Sequence, residues 1–404
     1  MGKETQINLQ KQNFSIGVKD KIFSIGSCFS ISIQKYSNRN GIDILSNPFG
    51  TIYNTYSIYK ELEILFNKNL YNETNLSFFN DKYFSFEHSN EFSSNIKSEC
   101  LEKINNTIKE SSNYIKRSNV FIITLGTSVV YISGNKIVAN CHKIPQSNFT
   151  KKILTVEENI SYLKDIIFLI KENINNPKII FTLSPIRHSR NNLLENQLSK
   201  SVLRSAIENV INNKDVLYFP SYEIVIDELR DYKYYKEDGL HLKNTTIELI
   251  MQKFNFSFFE ENLKIYIKDF NYCRNILKHK VKRPNSKEYF DLLKKILEKL
   301  KVLSEIRHSL IIEKIQFIVS KLIIEYFYTD KDVFKLFDNY LNYDIKNFFI
   351  KALSIKRNEL KDLNVESDLS YTNKFHPYIK NYTKKLILQY YINKNDLENL
   401  KKYY

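Results

Sequence analysis

Short apolar runs recur through the first 220 residues and indicate strands. They lie at residues 22–25, 42–45, 120–125, 178–183 and 216–219. Runs of this length, bounded by polar residues, glycine or proline, are typical of strands that are buried on both faces of a sheet. The sequence therefore predicts five strands of one central sheet.

Segments with apolar residues at helical spacing lie between these runs. They cover residues 56–66, 155–176 and 198–211; a further helix follows the first run, and another begins near Thr245. Parallel strands need crossover connections, and crossover helices cover both faces of the sheet. The alternation therefore predicts a three-layer α/β/α sandwich with a mostly parallel five-stranded sheet.

Two parts of this region fit the alternation less simply. Residues 129–132 and 136–139, joined by Ser133-Gly134-Asn135, predict a hairpin beside the sheet. The polar and aromatic stretch from residue 67 to about 98 matches neither the strand period nor the helix period. The pattern assigns no element to it.

The pattern changes after residue 280. Residues 281–287 (VKRPNSK) predict a charged linker, and long helical patterns follow at residues 288–306, 310–328 and 378–402. We therefore expect an α/β domain of residues 1–280 followed by an all-helical region, residues 281–404. The helical region is either a cap on the domain or a surface for a partner, for a second copy of the chain or for a membrane.

The charge of the chain changes this picture little. The 404 residues include 60 Lys and Arg against 45 Asp and Glu, a formal net charge of +15. The basic residues are spread along the sequence, and no recognised nucleic-acid-binding motif accompanies them. We therefore predict no nucleic-acid partner; a protein that binds polyanions is the alternative.

Cysteine spacing and hydropathy exclude further classes. The four cysteines are scattered without the paired spacing of a zinc site, so we predict neither a metal nor a cofactor. The polar amino terminus lacks the apolar core of a signal peptide, and no apolar stretch reaches the roughly 20 residues of a membrane helix. We expect a cytoplasmic or membrane-peripheral protein without an integral membrane segment.

Candidate chemistry concentrates in the stretch FSIGSCFS, residues 23–30. A strand, a tight turn and a helix would lift Ser27 to the carboxyl edge of the sheet, where open α/β folds bind ligands. A serine hydroxyl needs a base, and the base needs an orienting group. His241 and Asp238, three residues apart before a predicted helix, would supply both. The alternatives are that Ser27 is only a small residue in a tight turn, and that Cys28 is either the nucleophile or a structural cysteine.

The motifs of the chain, taken in order, resemble those of the GSCFA family. Gly26-Ser27-Cys28-Phe29-Ser30 resembles the motif that gives the family its name. Further blocks follow in the family's order: SNPFGTIYN, TLGTSVVY, NCHKIP, SPIRHSR, and YFPSYEIVIDELRDYKYY with EDGLHL. The resemblance covers about residues 5–300. The family is similar to the SGNH hydrolases, which implies a flavodoxin-like sandwich and ester or acyl-transfer chemistry.

The resemblance also implies roles for individual residues. Ser27 matches the nucleophile, Asp238 and His241 match the terminal DxxH pair, and the amides of Ser27 and Gly50 match oxyanion donors. One block departs from the superfamily, because Gly126-Thr127-Ser128 stands where Gly-x-Asn supplies an amide donor. The Thr127 hydroxyl or the Asn140 side chain is the expected replacement.

Four further residues from these blocks are candidates for substrate binding: Asn54, His142, Arg187 and His188. Arg187 could hold an acidic or hydroxyl-rich group, and either histidine could form a hydrogen bond with it. Structural packing of the histidines is the alternative. The cationic neighbours of both histidines argue against a metal site.

The leading interpretation is a serine esterase of SGNH type. It would remove an acyl group such as acetyl from a carbohydrate or glycoconjugate. An O-acyltransferase would share the first half-reaction and pass the acyl group to a sugar hydroxyl. A catalytically silent carbohydrate-binding or scaffolding protein is the alternative from a different class.

Overall fold

The computed structural model describes residues 5–187, 192–278 and 286–306, together with Tyr391. The strands of this part are β1 (Ile22–Gly26), β2 (Ile44–Ser46), β3 (Ser77–Phe79), β4 (Lys82–Phe84), β5 (Val120–Leu125), β6 (Val129–Ser133), β7 (Lys136–Val138), β8 (Thr150–Ile153), β9 (Lys178–Leu183) and β10 (Val216–Phe219). The α-helices of this part are α1 (Cys28–Arg39), α2 (Thr55–Asn67), α3 (Lys97–Ile115), α4 (Val156–Asn173), α5 (Leu193–Glu208), the single turn α6 (Ser221–Glu223), α7 (Asn244–Phe258), α8 (Glu261–Lys278) and α9 (Lys287–Ile306).

The central sheet has five strands in the order β2-β1-β5-β9-β10. Every neighbouring pair is parallel. Counted only among themselves, these strands have the order 2-1-3-4-5, which is that of flavodoxin-like doubly wound folds. The predicted α/β fold with a parallel five-stranded sheet is confirmed. In such sheets ligands bind at the carboxyl ends of the strands, where the order reverses between β1 and β5.

Helices cover both faces of this sheet. On one face, Phe23, Ile25 and Phe121 join a hydrophobic cluster to which α2, α3, α4 and α5 contribute. On the other face, α1 packs on β1, β2 and β5 and also against α7. The ring of Phe254 in α7 lies 5.0 Å from that of Phe219 in β10. Three layers result because the central strands are apolar on both faces.

The structure adds elements that the hydrophobic pattern does not predict. Helix α3 buries Cys100, Ile104, Ile108 and Ile115, but the other buried positions are serines, so its apolar stripe is narrow. Strands β3 and β4 form an antiparallel pair in the stretch without an assignment. The predicted hairpin is present as β6 and β7, and β8 pairs with the other edge of β6. Strand β8, Thr-Lys-Lys-Ile, is polar because it is mostly exposed.

The chain divides into two compact units, residues 1–267 and 268–404. In the second unit, α9 agrees with the helix predicted at residues 288–306, and Lys299 Nζ donates a hydrogen bond of 2.6 Å to Asp269 Oδ1. The helices predicted at residues 310–328 and 378–402 lie outside the described residues, so the domain boundary at residue 280 stays a prediction. Within the described ranges, no helix is both long and apolar enough to cross a membrane.

Gly26 sets the geometry at the end of β1. Its φ is +133°, and a Cβ atom at this position would lie 2.0 Å from the carbonyl oxygen of Thr124 in β5. The Gly26 amide donates to Asn47 Oδ1 over 2.7 Å, and the next amide, that of Ser27, donates to Thr124 O over 3.0 Å. Glycine therefore lets β1 and β5 approach closely and lets the chain turn directly into α1.

Replacing Gly26 by alanine should strongly destabilise the fold. The Gly26→Ala variant combines a strained φ with a backbone clash, so we expect a loss of more than about 3 kcal/mol in the free energy of unfolding. Gly134→Ala is the matched control, because Gly134 has a φ of +59° but open space where a Cβ atom would lie; it should lose only about 1 kcal/mol. Urea unfolding followed by circular dichroism measures both, and equal losses would contradict the role of the clash.

Candidate active site

The turn after β1 presents two nucleophilic side chains in adjacent positions. Ser27 is the N-cap of α1, and its Oγ accepts a hydrogen bond of 3.3 Å from the amide of Phe29. This residue is only 1% exposed. Cys28 is the first residue of α1 and is partly exposed. The structure therefore gives Ser27 a capping contact and leaves Cys28 partly exposed.

The predicted pair of Asp238 and His241 is formed. Asp238 Oδ2 accepts a hydrogen bond of 2.6 Å from His241 Nδ1, and Oδ1 accepts the amides of Leu240 and His241 at 2.8 and 2.9 Å. These two amides, followed by the imidazole, hold the pKa of Asp238 well below its usual range. The carboxylate therefore stays charged and favours the tautomer with a proton on Nδ1, which leaves Nε2 as a proton acceptor.

A cavity of about 220 Å³, which we name the His241 cavity, is lined by His241 and by residues of helix α1. Helix α1 contributes Cys28, Ser32, Lys35, Tyr36 and Arg39, and the other lining residues are Ile186, Lys236, His241, Leu242, Asn244, Ile247 and Glu248. Ser27 is not a lining residue, and no hydrogen bond in the described part of the chain joins it to His241. Cys28 and His241 therefore line the same cavity, and Ser27 does not.

The two backbone amides expected to bind an oxyanion already have acceptors. The Ser27 amide donates to Thr124 O at 3.0 Å, and the Gly50 amide donates to Asn47 O at 2.9 Å. Both hydrogen bonds belong to the turns that hold β1 and the following loop. In this arrangement an oxyanion would have to compete for these donors.

The two expected side-chain donors lie elsewhere. Thr127 is buried, and its hydroxyl forms a hydrogen bond of 2.8 Å with Ser199 Oγ. The Asn140 amide nitrogen Nδ2 is buried without a hydrogen-bond partner among the described residues, but Asn140 does not line the His241 cavity. The geometry therefore gives neither residue an evident place beside the imidazole.

Asn54 has a structural contact that accounts for its burial. It is the N-cap of α2, and its Oδ1 accepts the amide of Ser57 at 2.8 Å. Asparagine is among the residues preferred at this position. The structure therefore places Asn54 in helix capping, away from the lining of the His241 cavity.

His142 lies at a separate cavity of about 260 Å³. Its Nε2 is 2.7 Å from the carbonyl oxygen of Ser85, and its Nδ1 is 2.7 Å from Asn90 Oδ1. Its ring packs 4.2 Å from the ring of Phe84. Burial lowers the pKa of His142, and its hydrogen bond to the backbone of Ser85 opposes that shift. This surrounding matches the structural alternative for His142.

Arg187 directly follows Ile186, which lines the His241 cavity. The charge of Arg187 acts on the hydroxyls of Tyr222 and Tyr235, where it opposes the rise in pKa that burial causes. His188 lies outside the described residues. Within those residues, no group of three or more His, Cys, Asp or Glu side chains is arranged to hold a metal ion.

Lys200, in α5, is a buried ionisable group that the sequence pattern does not single out. It is 1% exposed, and its Nζ donates a hydrogen bond of 2.7 Å to the carbonyl oxygen of Ser184. Burial lowers the pKa of Lys200 to about 7, while the charge of Glu223, and that of Cys28 when it is a thiolate, act in the opposite direction. A lysine on a helix normally lies in solvent, so only the packing of α5 reveals this position.

The comparison with known proteins agrees with the motif order. The model of a family described as the GSCFA family matches residues 21–254, more than half of the chain. The chain belongs to the GSCFA family. The matched range begins just before β1 and ends in α7, and it contains every residue that lines the His241 cavity. No curated protein matches the chain.

The buried Lys200 predicts a pH dependence of stability. Its pKa is about 7 in the folded protein and about 10.4 in an unfolded chain, so the unfolded state binds more protons between these values. The cost of burial is therefore complete below pH 7 and is relieved as the pH rises. Between pH 7 and 9.5 the free energy of unfolding of the wild type should rise by about 2–3 kcal/mol relative to that of Lys200→Met. Urea unfolding at both pH values measures this difference.

Lys178→Met is the control for this measurement. Lys178 Nζ forms an ion pair of 2.8 Å with Asp20, so its removal should destabilise the protein at both pH values. If the difference between wild type and Lys200→Met is the same at pH 7 and 9.5, Lys200 does not change its charge in this range.

Proposed function

We propose that this GSCFA-family protein is an enzyme of SGNH type that moves an acyl group through a covalent acyl-enzyme. The observation that carries the proposal is the 2.6 Å hydrogen bond between Asp238 and His241, because His241 lines a cavity that is also lined by α1. His241 would take a proton from a nucleophile in the turn of residues 26–28. It would then return the proton to the leaving alcohol.

The turn offers Ser27 and Cys28 as nucleophiles. Ser27 is the residue that matches the nucleophile of the SGNH pattern. Its Oγ caps α1 and is buried, so attack by this hydroxyl requires the turn to open. The amides of Phe29 and Ser30 in the first turn of α1 donate to Ser27, so the helix would support negative charge on a substrate oxygen through the positive end of its dipole.

The proposed substrate is an acyl ester, such as an acetyl ester, of a carbohydrate or glycoconjugate. The choice of a carbohydrate as the substrate rests on the resemblance to SGNH hydrolases. The cavity adds a basic lining of Lys35, Arg39 and Lys236, in which Arg39 is paired with Glu248 at 2.7 Å. The two lysines have no ion pair of this kind within the described residues, and they suit hydroxyl-rich or anionic groups. Arg187, beside this lining, is a further candidate for holding the substrate.

Hydrolysis and acyl transfer share the first half-reaction. Water completes hydrolysis, whereas a sugar hydroxyl completes transfer. We propose hydrolysis as the first activity and O-acyl transfer as the second. A cytoplasmic or membrane-peripheral location and association through the carboxyl-terminal residues belong to the same proposal.

A carbohydrate-binding protein without catalytic activity is the second candidate. The observation that favours it is the engagement of the expected oxyanion donors, because the amides of Ser27 and Gly50 and the hydroxyl of Thr127 all have hydrogen-bond partners. An enzyme of this type depends strongly on such donors. Catalytic measurements separate the two candidates.

The first test is the hydrolysis of p-nitrophenyl acetate. His241→Ala should lower kcat/KM by about 10²–10⁴, because it removes the general base, and Asp238→Asn should also lower it because the imidazole loses its orientation. Asp231→Asn is the matched control: Asp231 is a surface cap outside the cavity, and asparagine caps equally well. Initial rates of p-nitrophenolate release measure all four proteins.

A folded His241→Ala variant with wild-type turnover would contradict the proposed function. Saturable sugar binding without any turnover would favour the silent binding protein. Chromatographic analysis of products with methyl glucoside as acceptor distinguishes transfer from hydrolysis, since transfer yields an acylated glucoside and hydrolysis yields free acid.

A further inference from the structure

One face of helix α1 lines the His241 cavity, and Cys28 is the first residue of that face. Cys28, Ser32, Tyr36 and Arg39 follow one another at intervals of three or four residues. Such intervals place side chains above one another along a helix. Cys28 is therefore the position of the turn that faces the cavity containing His241.

Ser27, one position earlier, has different contacts. Its Oγ accepts the Phe29 amide, its own amide donates to Thr124, and its carbonyl oxygen accepts Asn47 Nδ2 at 3.4 Å. These three hydrogen bonds fix Ser27 in the turn, and the residue is 1% exposed. Turning the hydroxyl toward the cavity would remove the cap of α1, which typically contributes about 0.5–2 kcal/mol.

We propose that Cys28 is the nucleophile of this site and that it carries the acyl group as a thioester. The proposal rests on the acyl-transfer function proposed above, and it identifies Cys28 Sγ as the atom that carries the acyl group. Cys28 and His241 line one cavity, whereas Ser27 is not among its lining residues.

The surroundings of Cys28 act on its thiol in opposite directions. Burial is the largest effect and raises the pKa of Cys28. The backbone amides of Cys28 and Phe29 and the charge of Lys200 lower it. The net rise keeps the resting thiol protonated, so attack needs a base, and His241 is the base in the cavity. The amides and Lys200 stabilise the thiolate once the proton has left.

The chemical steps balance without another reactant. The Sγ proton of Cys28 passes to His241 Nε2 as sulfur bonds to the ester carbonyl carbon. The tetrahedral intermediate then breaks its carbon–oxygen bond, and the leaving alcohol takes the proton from His241. Water or a sugar hydroxyl next attacks the thioester, its proton passes to His241, and the Cys28 sulfur leaves and regains that proton.

The test is to locate the acyl group. The full chain is pulsed with p-nitrophenyl acetate, quenched in acid and analysed by intact and peptide mass spectrometry. We expect one acetyl group on Cys28 that neutral hydroxylamine removes, as it does for thioesters. Cys28→Ala should lose the adduct and at least about 10³-fold in kcat/KM. Ser27→Ala should keep the adduct and keep kcat/KM within about tenfold.

Two further variants separate chemistry from folding. Cys28→Ser keeps the size and shape of the side chain, and we expect it to lose the hydroxylamine-sensitive adduct. Cys141→Ala is the matched control, because Cys141 is also partly buried and does not line the cavity; it should behave like wild type. An acetyl group on Ser27, or wild-type turnover in folded Cys28→Ala, would overturn the proposal.

A second measurement does not depend on ester turnover. Iodoacetamide should alkylate Cys28 in the wild type, and His241→Ala should slow alkylation of Cys28 at least about tenfold without changing the rate at Cys141. If His241→Ala slows Cys28 alkylation but the wild type does not turn over p-nitrophenyl acetate, the result supports the pairing of Cys28 with His241 and contradicts the proposed function. If Cys28 is alkylated at the same rate in the wild type and in His241→Ala, the result contradicts the assignment of Cys28 as the nucleophile.

Discussion

The close approach of β1 and β5 at Gly26 is the constraint on which the candidate site depends. A Cβ atom at Gly26 would lie 2.0 Å from Thr124 O, so only glycine allows the strands to meet here. Asn47 fixes the same turn by accepting the Gly26 amide and donating to the Ser27 carbonyl. Because the chain turns immediately after Gly26, α1 begins at the carboxyl edge of the sheet. The position of its first residues beside the His241 cavity follows from this backbone geometry.

The same turn separates two tasks between adjacent residues. Ser27 is extended, buried and bonded to the amide of Phe29, so its hydroxyl stabilises the start of α1. Cys28 is helical, so its side chain belongs to the face that α1 presents to the cavity. A helix N-cap and a nucleophile have opposite requirements, because a cap must stay on the backbone and a nucleophile must reach a substrate. Two residues can meet these requirements more easily than one.

The sequence predicts well those features that depend on long apolar runs or on short separations. The five sheet strands are apolar on both faces, and Asp238 lies only three residues before His241, so local patterns suffice for both. Helix α3 is not predicted from the sequence because the face that it buries is narrow and contains serines as well as apolar residues. The burial of Lys200 is not predicted either, because it depends on how α5 packs. The difference between Ser27 and Cys28 depends on side-chain direction at a turn, which residue types alone do not encode.

In the mechanism that we propose, the groups around Cys28 would make its thiol reactive only during the reaction. A permanent thiolate would be open to oxidation as well as to substrate, because oxidation proceeds through the thiolate. At Cys28, burial raises the thiol's pKa and the nearby amides and Lys200 oppose that rise without reversing it. Asp238, by contrast, is exposed and keeps its charge, which orients His241 as an acceptor. In the mechanism that we propose, the buried side of the site therefore holds the thiol neutral at rest, and the exposed side supplies His241 as the base that would remove its proton.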